Sequence, residues 1–351
     1  AEEGDDGISI ERIPVAPVPE EAVVEDEAQG EAVEVAEEEA LSFVPLRNRH
    51  PSGQGVENIC FVNSVVQMML GSAALRQWMM EEPEVGLMQV GVAVRAGLRA
   101  ILEASWADDR RVKDTRQIRD AVAVYSRNVG QVTDYADYEQ HCAMEFAGHL
   151  LDCSGERLRR MLEFRQRTVA RCGRRGCDAE PVEDAPTMQS IWQLYLRPGK
   201  GRSTLEQLVN CKESVMRRCR KCCRQDEYVT NAKGERVPNE GVAHLVETRV
   251  ETMEEQKLLM LMVNPFHFKD GQFVKSQRRL SGLDCDEVVL AGTRWRVASA
   301  VRHMGASVKG GHYVAYSRLG DKWRYMSDET SKVLARLPVG ELYGILLERI
   351  A

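Results

Sequence analysis

The sequence has few aromatic residues and no long hydrophobic run. Phe, Trp and Tyr make up 6% of its 351 residues. No apolar segment approaches the roughly 20 residues that a membrane helix needs. The first residues are acidic, whereas a secretory signal begins with basic ones. We therefore expect a soluble protein with no membrane partner, long enough to bury a substantial core.

Basic residues are almost absent from the first 40 positions. This segment contains fifteen Asp and Glu residues and one basic residue, Arg12, so the other 311 residues carry a net charge of +7 although the whole chain carries −7. Such a segment cannot bury enough apolar surface to offset the entropy lost on folding. The sequence predicts an acidic disordered tail over residues 1–43, followed by a folded domain over residues 44–350.

The ten cysteines do not form the dense framework of a small secreted domain. We therefore expect reduced thiols and a cytoplasmic or nuclear location.

Cys172 and Cys177 are separated by four residues, and Cys219 and Cys222 by two, with Cys223 as a substitute ligand. This spacing predicts a structural Zn²⁺ site, in which four thiolates leave no open position for catalysis. Arginines beside these cysteines also suggest nucleic-acid binding, but no aromatic stacking residues accompany them, so we regard nucleic acid as an unlikely partner.

The pattern of apolar residues divides the domain into a helical and a β-rich part. Helical spacing appears from about Cys60 to Met80 and in three further segments between 87 and 162. After the cysteine clusters come β-type runs such as "KLLMLMVNPFHF", "RWRVASAVRH", "HYVAYSRL" and "ELYGILLERI", with turn signals at "KDGQ" and "LGDK". The order predicts an α+β fold with an antiparallel sheet.

Three distant residues could together form a thiol protease site. Cys60 begins an apolar helix, and a helix N-terminus and a nearby imidazolium both favour the nucleophilic thiolate. His312 begins a short strand, and a turn centred on Gly320 would place Asp328 opposite it, where it could orient the imidazole. A slip of one residue would put Ser327 or Glu329 there instead. Taken singly, each residue also has an ordinary structural interpretation, such as a packed thiol for Cys60.

Three sequence boxes, in order over residues 46–350, resemble those of the ubiquitin-specific proteases. "NICFVNSVVQMML" resembles the family's cysteine box, "QHCAMEFAGHLLD" its middle helix, and "GGHYVAYSRLGDKWRYMSDE" its histidine box. The matching residues are Asn58, Cys60, Asn63, Ser64 and Gln67; Gln140, Ala143, Glu145, Phe146, Leu150 and Asp152; and Gly311, His312, Tyr313, Ala315, Tyr316, Trp323 and Asp328. "YGILLER" resembles the strand that closes the family's domain.

The resemblance implies a papain-like "hand" with a helical thumb (44–170), zinc-ribbon fingers (171–260) and an antiparallel β palm (261–350). It implies hydrolysis of the isopeptide bond after the C-terminal Gly-Gly of ubiquitin, with Cys60 as nucleophile and His312 as acid and base. Gly310 and Gly311 leave room for a thin Gly-Gly tail, and with Tyr313 they are the expected substrate channel. Ubiquitin or a ubiquitin-like modifier on conjugated proteins is the implied partner.

The sequence departs from the family pattern near each box. The family's oxyanion asparagine lies five residues before the cysteine, where this chain has Gly55, and Glu57 replaces a glycine of the motif. We therefore consider Asn58, or a rearranged Asn48, as the donor. Ser327 stands where the third catalytic residue is usual, and the acidic Asp328 follows. Cys142 replaces an acidic residue that faces ubiquitin's basic tail. Two alternatives therefore stay open: a weak or inactive ubiquitin-binding scaffold, and a protease for a ubiquitin-like modifier.

Overall fold

The structure, a computed structural model, describes residues 42–49, 56–81, 85–131, 133–137, 139–217, 219, 221–222, 228–230, 236–238, 242–269, 271–283, 287–307 and 310–350. They belong to a unit that spans Glu39–Ala351. Almost all of the predicted acidic tail lies outside the described residues, as do Gly55 and Cys223.

Helices dominate the first part of the described chain. Six of the seven α-helices found among the described residues precede the first strand. Their bounds are α1 Cys60–Leu70, α2 Ala73–Met80, α3 Gln89–Trp106, α4 Arg116–Asn128, α5 Ala143–Cys153, α6 Glu156–Leu162 and α7 Leu205–Val209, with a 3₁₀ turn at Val339–Glu341. The single helix expected from Cys60 to Met80 is in fact two, because Ser72 caps α2 by accepting a hydrogen bond from the Leu75 N–H.

Strands begin at Phe164, before the first cysteine cluster. Their bounds are β1 Phe164–Cys172, β2 Val182–Glu183, β3 Thr187–Gln189, β4 Ile191–Tyr195, β5 Lys200–Thr204, β6 Lys212–Arg217, β7 Tyr228–Thr230, β8 Arg236–Pro238, β9 Val242–Thr252, β10 Leu258–Asn264, β11 Phe266–Lys269, β12 Gln272–Lys275, β13 Gln277–Ser281, β14 Glu287–Leu290, β15 Thr293–Ser307, β16 Gly310–Leu319, β17 Lys322–Ser327, β18 Thr330–Leu334 and β19 Leu342–Arg349.

Two larger sheets organise the strands of the described chain. The eight-stranded sheet has the order β18-β17-β16-β15-β19-β10-β4, with β14 on β15, and all its pairs except β10–β4 are antiparallel. The five-stranded sheet has the order β2-β1-β9-β6, with β3 on β1. Mixed helices and largely antiparallel sheets agree with the predicted α+β class; the assignment of thumb, palm and fingers stays a prediction.

The eight-stranded sheet separates two hydrophobic clusters, as the two-residue period of its strands requires. Val301 and Tyr313 face a cluster that contains α1 and its neighbouring helices, whereas Ala300 and Val314 face a cluster on the other side. All eleven residues of α1 are buried. No helix among the described residues is both long and apolar enough to cross a membrane.

A close approach fixes the end of α1 against the sheet. The Ser299 hydroxyl on β15 donates a hydrogen bond of 2.7 Å to the Met68 carbonyl. Gly71 follows the helix, and a Cβ there would lie 2.7 Å from the Ser299 Cβ, so this contact needs glycine. Burial and close contact together hold the helix that begins at Cys60 in one position relative to β15 and β16.

Candidate active site

Cys60 is the first residue of α1 and is only 3% exposed. Asn58 has a φ of 59°, a left-handed conformation that asparagine tolerates, and it turns the chain into the helix. Burial raises the pKa of the Cys60 thiol to about 12; the Asp328 charge acts in the same direction, and nearby backbone N–H groups, that of Tyr313 first, act against it. At rest, burial therefore outweighs the expected effect of the helix terminus, and the thiol is protonated near neutral pH.

His312 lies on β16, beside Tyr313, and its ring points towards the end of β17. Its Nε2 is 2.8 Å from the Ser327 hydroxyl oxygen and 3.8 Å from Oδ2 of Asp328. The structure thus brings His312 together with Ser327 and Asp328, which are two of the three residues considered as its orienter. The hydroxyl makes the hydrogen bond, whereas the carboxylate contributes its charge from a slightly greater distance.

The strand register differs by one residue from the expectation. Leu319 pairs with Lys322, so the turn is centred between Gly320 and Asp321 rather than on Gly320. The paired ladder of β16 and β17 ends at Ala315 and Met326, and β17 ends at Ser327. Asp328 then turns out of the strand with a φ of 48°. Its carboxylate approaches His312 from this turn and not from an opposed position in the ladder.

Two asparagine side chains hold the Asp328 carboxylate. Asn48 Nδ2 donates to Oδ2 and Asn63 Nδ2 donates to Oδ1, each at 2.8 Å. The Thr115 hydroxyl in turn donates to Asn63 Oδ1 at 2.6 Å. Burial raises the pKa of Asp328, while the two amides and His312 favour its charged form and limit that rise. These contacts keep a buried carboxylate fixed beside the histidine.

Asn48 reaches the site because a β-bridge pairs the residues on either side of positions 50–55. An antiparallel bridge joins Arg49 to Val56, and the Glu57 N–H donates to the Asn48 carbonyl at 3.4 Å. Asn48 Oδ1 accepts a hydrogen bond of 2.9 Å from the Ile59 N–H. Asn48 is therefore near the start of α1 although it is twelve residues from Cys60 in sequence. Its part in holding Asp328 could not be read from spacing.

One glycine of the expected channel, Gly311, lies over a buried histidine. Gly311 has a φ of 152°, and a Cβ there would lie 2.6 Å from Nε2 of His303. Burial, with Lys275 nearby, lowers the pKa of His303 to about 4, so its ring is neutral. Gly310 is half-buried, whereas the Tyr313 side chain is buried beside His303, with ring centroids 4.7 Å apart. Sequence reasoning missed His303 because nothing in its spacing sets it apart from a core residue.

The positions that depart from the family pattern have local partners. Glu57 is buried and pairs with Arg119 at 2.8 Å. Cys142 caps α5, its sulfur is 2.9 Å from the Tyr343 hydroxyl, and burial raises its thiol pKa. The side chains of Glu57 and Cys142 thus both have partners within the domain.

The four predicted metal ligands form one cluster. The sulfur atoms of Cys172, Cys177, Cys219 and Cys222 all lie within 4.8 Å of one another. Cys172 and Cys222 are 3.9 Å apart, and Cys177 and Cys219 are 3.7 Å apart. A tetrahedral zinc ion with Zn–S bonds of about 2.3 Å separates its sulfur ligands by roughly 3.8 Å. The donor set and its spacing therefore fit a structural zinc ion.

A cysteine at the start of a buried helix, with that helix packed against the strand that carries a histidine, is an arrangement that cysteine hydrolases use. A family model described as ubiquitin carboxyl-terminal hydrolase matches residues 54–339. The chain therefore belongs to the ubiquitin carboxyl-terminal hydrolase family, which indicates a thiol-dependent hydrolase that acts on ubiquitin conjugates. The comparison with curated proteins finds no match.

Proposed function

We propose that the protein hydrolyses the isopeptide or peptide bond after the C-terminal Gly-Gly of ubiquitin, with Cys60, His312 and Asp328 as its catalytic residues. One observation carries the proposal. The helix α1, which begins at Cys60, packs against β16, and His312 on that strand contacts Ser327 and faces Asp328. This arrangement supports a nucleophile supplied by α1, with a base supplied by β16 and an acidic group by the turn after β17.

The reaction begins with transfer of the Cys60 thiol proton to His312. The thiolate attacks the carbonyl carbon of the last glycine, and the C–N bond breaks as His312 returns the proton to the leaving lysine nitrogen. Water then attacks the thioester, gives a proton to His312 and releases the ubiquitin carboxylate and the thiol. The imidazolium formed at His312 stabilises the thiolate and so offsets the effect of burial on the thiol pKa.

The Asp328 charge selects the tautomer of His312 that this sequence of steps needs. A serine hydroxyl both donates and accepts hydrogen bonds, so the Ser327 contact alone leaves the position of the ring proton undetermined. A carboxylate near Nε2 favours a proton on that nitrogen and leaves Nδ1 free to accept the thiol proton. Asp328 therefore acts through its charge, whereas Ser327 positions the His312 ring through its hydrogen bond.

The oxyanion of the tetrahedral intermediate needs hydrogen-bond donors near the sulfur. We propose the Cys60 backbone N–H and a side-chain amide, for which both Asn58 and Asn48 are candidates. Asn58 is close in sequence, whereas Asn48 already contacts the Ile59 N–H and Asp328.

Gly310 and Gly311 admit the thin tail of the substrate over His303.

The cysteine cluster is proposed to bind zinc through Cys172, Cys177, Cys219 and Cys222 as a structural ion of the fingers (171–260), with the thumb over residues 44–170 and the palm over 261–350. Four thiolate ligands give a closed site, so the ion would stabilise this region without joining the reaction. We also propose a reducing compartment, the cytoplasm or the nucleus, because catalysis needs a free Cys60 thiol.

Two observations keep other substrates and roles in view. The family has an acidic residue that attracts ubiquitin's basic tail, and this chain has Cys142 there, hydrogen-bonded to Tyr343. This replacement favours a ubiquitin-like modifier as the second candidate substrate. Ser327 at the usual position of the third catalytic residue favours a weak enzyme or a ubiquitin-binding scaffold.

The test is covalent labelling by ubiquitin that carries a thiol-reactive group at its C-terminus, followed by intact mass measurement. We expect one ubiquitin adduct on the wild type, none on Cys60→Ala and much slower labelling of His312→Ala. Parallel reactions with ubiquitin-like modifiers identify the preferred one. A folded, zinc-loaded protein that reacts with none of these probes would contradict the proposed hydrolase and support the scaffold.

A further inference from the structure

Positive side chains gather on the small parallel sheet formed by β5 and β13. The register pairs Lys200 with Gln277 and Arg202 with Arg279. Because side chains alternate along a strand, these four residues share one face of the sheet. All four are exposed, whereas Leu280, which points to the opposite face, is buried. We call Lys200, Arg202 and Arg279 the basic patch.

Two contacts hold the arginines of the basic patch in place. Arg278 Nη1 donates a hydrogen bond of 3.3 Å to the Arg202 carbonyl and so joins β13 to β5. The Arg279 side chain lies against Gly340, where a Cβ would be 3.4 Å from the Arg279 Cδ. The spacing between the positive groups is therefore set by the fold.

The basic patch has no acidic partner within the described part of the chain. None of its three side chains forms an ion pair with another described residue. Arg279 is near Glu341, but Arg302 already binds that carboxylate. Arg202 and Arg279 are also directly opposed in the ladder, and like charges in opposed positions destabilise a sheet. An anionic partner would relieve this repulsion.

The spacing of the charges favours an extended acidic peptide as that partner. Lys200 and Arg202 are two residues apart on β5, about 6.6 Å, and acidic residues at alternate positions of an extended segment have the same spacing. Guanidinium groups bind carboxylates through two parallel hydrogen bonds. Neither strand contains an aromatic residue, so the face lacks the stacking platform on which single-stranded nucleic acids bind.

The edge of β5 offers a place for the backbone of such a segment. In the described part of the chain β5 pairs with β13 alone. An extended peptide adds to a free strand edge through main-chain hydrogen bonds, while its alternate side chains give specificity. Acidic side chains on one side of the added strand then lie next to Lys200 and Arg202.

We propose that the basic patch is a docking surface for an extended acidic segment of a partner protein, with acidic residues at alternate positions. Binding there does not depend on catalysis. The patch is nevertheless close to the candidate site, because four residues, at most about 13 Å of extended chain, separate Arg279 from Lys275. Lys275 Nζ donates to the carbonyls of His303 and Gly305. A docked partner thus stays at high effective concentration near the site.

The test measures binding of a fluorescent eight-residue peptide of alternating Glu and Thr to the full chain, at low ionic strength, where exposed charges are least screened. We expect Arg202→Gln/Arg279→Gln to weaken binding about tenfold or more, because the peptide loses two charge-assisted hydrogen-bonding groups. A peptide with Gln in place of Glu should bind the wild type at least tenfold more weakly. A wild type that does not bind the Glu peptide, or a variant that binds it equally well, would overturn the proposal.

Lys322→Gln/Lys332→Gln is the matched control. These two lysines are exposed on β17 and β18, and their replacement changes the net charge by the same amount. We expect peptide affinity to change less than twofold. An equal loss in the two double variants would show that the peptide responds to net charge and not to the basic patch, which would contradict the docking surface.

Thermal unfolding separates a binding role of the arginines from a structural one. Because Arg202 and Arg279 repel each other, Arg202→Gln/Arg279→Gln without peptide should have a Tm equal to that of the wild type or slightly higher. Saturating peptide should raise the Tm of the wild type and leave that of the variant unchanged. A variant that unfolds several degrees below the wild type without peptide would identify the arginines as structural and overturn the proposal.

Two further measurements identify other occupants of the basic patch. A single-stranded oligonucleotide that binds the wild type more tightly than the peptide, and loses this binding in Arg202→Gln/Arg279→Gln, would assign the patch to nucleic acid instead. Asp284 and Asp286 follow β13 in sequence and lie outside the described residues. Peptide binding that appears only in Asp284→Asn/Asp286→Asn would show that these carboxylates neutralise the patch, and it would overturn the proposal.

Discussion

At the scale of single residues, His312 depends on two neighbours that act differently. Ser327 makes the 2.8 Å hydrogen bond, and Asp328 lies 3.8 Å away with its oxygens held by Asn48 and Asn63. A family member with a carboxylate in direct contact combines both functions in one group. Here a short hydrogen bond and a fixed charge come from consecutive residues, so the two contributions can be separated by mutation.

The first prediction compares Asp328→Asn with Ser327→Ala. Asn tolerates the left-handed backbone of position 328 but removes the charge, so we expect kcat to fall about a hundredfold or more. Ser327→Ala removes one hydrogen bond and should cost about tenfold or less. Steady-state kinetics, with circular dichroism to check folding, make the comparison. A larger loss for Ser327→Ala would identify the hydroxyl as the main orienter.

The second prediction concerns His303 and pH. Its folded pKa of about 4 lies below the unfolded value of about 6.5, so the unfolded chain binds more protons between these values. Stability should therefore fall as pH decreases from 6.5 to 4, by up to about 1.4 kcal/mol per pH unit from this group.

Denaturant unfolding of the wild type and His303→Phe at several pH values measures this effect. We expect the variant to show a shallower dependence of unfolding free energy on pH, whatever its absolute stability, because phenylalanine does not titrate. Lys275, Glu341 and His312 are the charged or titratable neighbours that act on His303, and all three are unchanged in the variant. Equal slopes in the two proteins would show that His303 does not link folding to pH.

At the scale of elements, the segment of residues 42–48 connects the parts of the site. The Leu46 N–H donates to the Asp328 carbonyl, and Lys113 exchanges backbone hydrogen bonds with Pro45 and Arg47. Gln67 Nε2 on α1 donates to the Val44 carbonyl. This short segment therefore joins α1, the chain before α4 and the turn after β17, and Asn48 at its end contacts both Asp328 and the start of α1.

The third prediction compares the two asparagines near Cys60. Asn48→Ala should lower kcat about 10- to 100-fold with a smaller effect on KM, because Asp328 and the Ile59 N–H each lose a partner. Asn58→Gly keeps the left-handed backbone accessible and removes only the side chain. We expect it to reduce kcat by less than about threefold. A loss of 10²–10³ for Asn58→Gly would instead identify Asn58 as the oxyanion donor.

At the scale of the whole molecule, the site and the cysteine cluster belong to different sheets. His312 lies on the eight-stranded sheet, whereas Cys172 ends β1 in the five-stranded sheet. The four cysteines come from two segments, and Cys177 and Cys219 are 42 positions apart in the sequence. A metal ion bound there would join these segments and stabilise the fold by its binding free energy.

The fourth prediction is that the wild type contains one zinc ion per chain and that Cys219→Ser contains none. The variant should also unfold at a temperature several degrees lower, because a tetrahedral site loses one of its ligands. Cys211→Ser is the control, since Cys211 is outside the cluster and its sulfur accepts a hydrogen bond from Arg197. Zinc is measured by elemental analysis. Equal zinc content in wild type and Cys219→Ser would contradict the site.

The sequence alone determined the residue types of the site and the order of its elements. The three boxes indicated the family that the match over residues 54–339 confirms. The spacing of the cysteines predicted the four residues that form the cluster. These features were readable because each box and each cysteine pair is local, so its meaning depends on a few neighbouring positions.

Only the tertiary structure decided how Asp328 and Asn48 enter the site. The β16–β17 register depends on where the turn closes, and a shift of one residue changes every opposed pair. Asn48 reaches α1 because the bridge between Arg49 and Val56 brings distant residues together. Both depend on contacts between separate segments, which spacing along one chain does not encode.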